Sequence, residues 1–137
     1  MIDYENRIFK IVYDAVRFYN PDIFITTQLS KAPASFPCVS FEQMDSYLSE
    51  DKTDSSREQH MVTGVYQICV YSNKASGKRQ EAKQIHSIID DAMTVNGFRR
   101  TQLQYQNLVD STNVDILRLI SQYDAEIDAD GNIYSRR

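Results

Sequence analysis

HMVTGVYQICVYSNKASGKRQEAKQIHSIIDDAMTVNGF, residues 60–98, is the stretch around which the rest of the chain is organised. In its first half Val62, Gly64, Tyr66, Ile68 and Val70 fall on one side and Thr63, Val65, Gln67, Cys69 and Tyr71 on the other. A pleated strand imposes that period of two. Bulk on both sides predicts that both faces are covered. The second half places Ala82, Ile85, Ile89, Ala92 and Met93 along one helical face, with Ile88 at its margin. Ser76 is the expected N-cap, because its hydroxyl can accept from an unpaired first-turn amide. Gly97 fits the position just past the end, where the chain turns left-handed. A strand handing on to a helix that must bury one side is the nucleus of a two-layer α+β domain.

Upstream, Ile8, Ile11, Val12, Ala15, Val16 and Tyr19 form another helical stripe, with Asp3 as a cap and Glu5 in the first turn. Pro21 ends that helix. Tyr4, Phe9 and Tyr13 lie off the stripe, so the helix has a second, aromatic side suited to contact with another subunit. Residues 22–29 are β-branched and aromatic enough for a strand. Residues 38–47 alternate as a second strand, expected to pair antiparallel with the long one.

Between them, residues 46–59 (SYLSEDKTDSSREQ) carry almost no apolar content. Such a segment cannot bury itself and reads as a long exposed or flexible inter-strand loop. Tyr47, Leu48, Glu50, Asp51, Lys52 and Arg57 are its candidate contact residues.

Downstream, residues 98–108 set Leu103 and Tyr105 against Gln102, Gln104 and Gln106, a strand with one wet face. Residues 114–127 are ambiguous. Leu117, Leu119, Tyr123, Ala125 and Ile127 alternate as in a strand, while Ile116, Leu117, Ile120 and Tyr123 also fit a helical stripe. Asp130-Gly131, followed by Ile133-Tyr134, is a type I′ hairpin signal and favours the strand. The whole reads as one α+β domain over residues 1–137, a mainly antiparallel sheet packed against two helices.

At 137 residues and 25% charged the chain is an ordinary globular sequence with room for a core. A net charge of −4 argues against a grip on nucleic acid that neutralises many phosphates. No run approaches the roughly 18 apolar residues of a membrane span, and MIDYENRIFK is too polar for a secretory signal, so no membrane partner and a cytoplasmic site of synthesis are expected. Cys38 and Cys69 stand apart on strands as small buried hydrophobes rather than a disulfide.

No chemistry-bearing motif survives inspection. In EIDADGNIY the twelfth position of a calcium loop is Arg137 where a bidentate Glu belongs. Ser76-Gly77-Lys78 lacks the upstream glycine and the following Ser or Thr of a phosphate loop. His60 and His86 have no ligand partner at metal spacing and read as exposed or partly packed. Asp90 and Asp91 are adjacent and point to different sides. The helix between Ser76 and Gly97 is nevertheless charged against its dipole, with Lys78 and Arg79 at its positive end and Asp90 and Asp91 at its negative end. Such a reversed arrangement is either tolerated on a solvated surface or answered by opposite charges on neighbouring subunits.

The order of elements resembles the tail terminator (neck, or head-tail joining) proteins of long-tailed bacteriophages. The resemblance covers nearly the whole chain. It runs through the N-terminal helix, Phe36-Pro37-Cys38-Val39, the polar insertion, the strand around residues 65–71, and the Ala82/Ile85/Ile89 helix. It continues through Gly97-Phe98-Arg99-Arg100, the Ile116-Leu117-Arg118 strand, Ile127-Asp128 and Ile133-Tyr134. It implies a structural protein without catalysis or cofactor, made in the host cytoplasm and resident in the virion tail or neck. Such a protein assembles as a ring, hexameric by analogy, on the tail tube protein, and presents a surface to the head-tail connector proteins. Candidate subunit or tube contacts are then the aromatic and polar residues named above, with Arg99 and Arg100 at the helix exit. A head-completion protein on the head side of the joint and a small α+β enzyme are the competing readings.

Overall fold

The computed structural model describes residues 5–27, 35–48, 61–109, 115–128 and 132–134. Two helices lie on one face of a six-stranded, mostly antiparallel sheet: α1 (Glu5–Tyr19), β1 (Phe24–Thr26), β2 (Cys38–Leu48), β3 (Met61–Ser72), α2 (Lys78–Val95), β4 (Arg99–Val109), β5 (Asp115–Asp128) and β6 (Ile133–Tyr134). The sheet order is β1-β2-β3-β5-β4, and β6 pairs with β5. Only β1 with β2 is parallel.

Segment 115–128 is a strand throughout, and a central one. Its alternation carries Leu117, Leu119, Tyr123, Ala125 and Ile127 to the helix side. Those five side chains find partners on β3 and α2 only in the extended form. Two other expectations change. β2 runs on to Leu48, so residues 46–48 belong to the strand and pair with Gly64, Thr63 and Val62. The rest of the polar segment lies outside the described residues, as do the hairpin turn at Asp130-Gly131 and the Asp3 cap.

The second correction is at the start of α2. Gly77, not Ser76, is the N-cap, in the left-handed region at φ 83°, and no side chain caps it. Ser76 is exposed. The junction is held instead from the strand side: Ser72 Oγ donates to Glu81 Oε1 at 2.7 Å, tying the end of β3 to the first turn of α2. The other end is as the sequence predicts. Gly97 has φ 93°, its N–H bonds to Thr94 O at 3.1 Å, and Phe98 N–H bonds to Met93 O at 3.0 Å. This double closure is a Schellman motif, and its Phe98–Met93 pair enters the core.

One apolar cluster joins α1 (Ile8, Val12, Val16), β2 (Val39, Phe41), β3 (Val62, Tyr66, Ile68, Val70), α2 (Ala82, Ile85, Ile89, Met93) and the inward side of β5. Aromatic rings cross it in series. Phe9 meets Phe41 at 5.6 Å, Phe41 stacks on Tyr66 at 5.6 Å, and Tyr66 meets Phe98 edge-on at 5.8 Å. Gly64 makes the stack possible, because a Cβ there would sit 2.5 Å from Tyr66 Oη. Phe9 therefore serves the core, while Tyr13 beside it stays 39% exposed.

Candidate functional site

Among the described residues no helix packs on the second face of the sheet. Bulk on this face does not imply a covering layer. Cys69 and Tyr71 bury themselves among strand neighbours, with Cys38 and Ile116 and the partly buried Phe24, Phe36, Leu108 and Ile120 around them. Both cysteines are buried, free thiols. Burial, and secondarily the nearby Cys69, pushes the Cys38 thiol up to about 12, so it carries no thiolate at neutral pH.

Beside this apolar patch the face turns amide-rich. Register places Glu42, Gln67, Gln122 and Gln102 in one row across four strands. Gln122 Nε2 donates to Gln67 Oε1 at 3.3 Å, and Gln102 Nε2 to Gln104 Oε1 at 3.3 Å. Arg118 links the two zones. Its Nη1 donates to Gln106 Oε1 at 3.1 Å, its Nη2 lies 3.4 Å from Cys69 Sγ, and its carbon centre is 5.7 Å from the Tyr71 ring. The Arg118 Nε is buried without a partner, as is Asp124 Oδ1, six residues along β5 on the same face.

A second polar group lies on the helix side. Tyr123 Oη donates to Asp90 Oδ1 at 2.6 Å, and His86 Nε2 is 3.3 Å from the same hydroxyl. Because the tyrosine proton goes to Asp90, His86 serves the hydroxyl as the donor through Nε2–H. Burial lowers the His86 pKa and outweighs the pull of Asp90, so the ring is neutral. Tyr123 is shifted upward by burial and then by Asp90. Arg100 completes the chain at 3.5 Å from Asp90. The set pins α2 to β5 and β4. Tyr123 is fully buried and His86 5% exposed, while Asp90 and Arg100 keep 31% and 42% of their side chains exposed, so the group is a tether running from the core to the surface.

Two of the four charges on α2 that run against its dipole thus have uses within this chain. Asp90 is taken by Tyr123 and Arg100, and Arg79 stacks over the Tyr105 ring at 3.9 Å. Lys78 is half-buried at the first turn and Asp91 is exposed. Arg99 pairs with Asp124 at 3.2 Å. Tyr47 and Leu48 lie in β2, and Tyr4, Glu50, Asp51, Lys52 and Arg57 are outside the described residues. Sequence reading missed His86, Tyr123, Asp124 and Arg118. The spacing of His86 and Asp90, one turn apart, was the available signal for the first pair.

A depression of about 400 Å³ lies between the end of α1 and the start of α2, lined by Tyr19, Asn20, Lys74, Ser76, Gln80 and Gln84 among others. Among the described residues no group of three or more His, Cys, Asp or Glu is placed to hold a metal ion, and no helix is long and apolar enough to cross a membrane.

No protein-family profile and no curated protein sequence matches the chain. One solved structure aligns over 89% of this chain and 96% of its own length, at 16% identity and a TM-score of 0.49. A likeness at that level carries no argument about function.

Proposed function

We propose that this chain is a structural protein of a long-tailed bacteriophage that caps the completed tail tube as an oligomeric ring, stops its polymerisation and offers the surface to which the head joins. One observation carries the reading. Among the described residues, polar side chains capable of chemistry fix elements to one another, through Tyr123, His86, Asp90 and Arg100 or through Arg118 and Gln106, while the open sheet face and its edges are left for contact. That division suits a protein that works by shape and assembly. The order of elements shared with tail terminators supports it. In this reading the partners are further copies of the chain, six by analogy, the tail tube protein and the head-tail connector proteins, and the site of action is the virion neck.

Genetic removal tests it. Phage lacking the protein should accumulate filled heads beside free tails of irregular length, and wild-type tails joined normally to heads would sink the reading. A chain lacking residues 49–57 should remain folded yet fail to rescue joining. If the protein instead copurifies with heads in a tail-less mutant, the head-completion alternative takes over.

A further inference from the structure

We propose that copies of this chain join edge to edge, β4 of one copy lying antiparallel against the outer edge of β2 of the next. The proposal supplies the contact surface of the ring and rests on the ring reading for its closure.

The two edges are open. Among the described residues β4 ends the sheet on one side, eleven residues long, without proline and charged only at Arg99 and Arg100. A strand in that position presents a row of unpaired N–H and C=O groups, which proteins ordinarily cover or blunt. On the opposite side β1 pairs with β2 at Cys38, Val39 and Ser40, and among the described residues no strand pairs with the outer edge of residues 41–48.

Their directions match. Each step from β2 to β3, β5 and β4 is antiparallel, so β4 runs opposite to β2. A second copy set alongside in the same orientation therefore meets β4 with an antiparallel strand. The step can be repeated, and a head-to-tail contact of this kind closes into a ring when its rotation permits.

Their charges match as well. β4 carries two cations and no anion, whereas β2 carries two anions, Glu42 and Asp45, and no cation. Through the strand registers Asp45, Val65, Asp124 and Arg99 form one row, so an unshifted neighbour brings Arg99 to the height of Asp45, with Arg100 one row on and on the helix-covered face. Both arginine side chains stay above 40% exposed despite their pairs with Asp124 and Asp90. Each strand also breaks register once, at Met44 and at Thr101, in neighbouring rows. Bulges bend a strand, so both edges curve at the same height.

Cross-linking decides the matter. Copies carrying Met44→Cys are mixed with copies carrying Gln102→Cys and treated with a short bismaleimide, with the native chain, whose cysteines are buried, as background. The mixture is expected to yield a cross-linked pair, and a chain carrying both substitutions a ladder, while neither single variant links to itself. Glu42→Lys should weaken association about tenfold or more at unchanged melting temperature of the monomer. Rings that assemble without the mixed cross-link overturn edge pairing and leave the ring reading standing. Self-linking of Gln104→Cys instead reveals two-fold β4 pairing and also overturns it. Failure to associate at any concentration, with or without tail tubes, in sedimentation experiments removes the ring and its contact together.

Discussion

The two faces of the sheet use the same strands for different ends. Toward the helices, alternate residues of β2, β3 and β5 merge into one apolar cluster with α1 and α2. Away from them, the intervening residues make a small apolar patch and a field of glutamines linked mostly to one another. Stability is concentrated on the first face, and beside the small patch of the second the exposed glutamines are side chains whose loss the fold can absorb. A protein that works by contact needs that separation, because its binding surface can then vary without unfolding it.

Substitutions can break or sharpen this contrast. Phe41→Ala should have the largest effect, about 3–5 kcal/mol in urea denaturation, since it opens a gap in the ring series between Phe9 and Tyr66. Gly64→Ala should cost about 1–3 kcal/mol, because the new methyl meets the Tyr66 ring. A loss of similar size is expected for Tyr123→Phe, which leaves the buried His86 without its partner and Asp90 short of a donor.

The next effect depends on pH. The folded chain holds His86 below its ordinary pKa, so the unfolded chain takes up the proton first, near about pH 6.5. Stability should therefore fall as pH drops below that value and level off below the folded pKa. Melting temperatures between pH 7.5 and 5 should show a shallower fall in His86→Gln than in the native chain; equal slopes would remove His86 as the cause. Least affected should be Gln104→Ala on the open face, within about 0.5 kcal/mol of the native chain. A larger loss there would mean that the contrast between the faces is false.

Much of the helix-covered face was legible from sequence. The alternation of residues 62–70 and the Ala82/Ile85/Ile89 stripe both name side chains that are buried, and Gly97 closes α2 as its position requires. Local pattern was insufficient where a distant partner decides. Residues 116–123 satisfy both periods, and only the slot between β3 and β4 selects the strand. Ser76 looked like a cap because a hydroxyl suffices locally, but Ser72 and Glu81 hold the junction from across it. Asp90 looked misplaced against the helix dipole because its reason, Tyr123, lies 33 residues away. On the open face the glutamines of residues 102–106 were visible as a wet side, yet the row that Gln102 makes with Gln122, Gln67 and Glu42 across four strands depends on registers that no local spacing encodes.

The central place of β5 governs when this protein can exist at all. A nascent chain extending to residue 109 holds β3 and β4 with an empty lane between them, since both pair with β5 and not with each other. Until residues 115–128 have left the ribosome, the apolar side of β3 and the underside of α2 have no completed sheet to rest on. Such long-range strand insertion is slow and exposes sticky edges while it lasts. Assembly-competent subunits should therefore be released late, after synthesis, and at crowded expression levels the half-built sheet is where misassociation should begin.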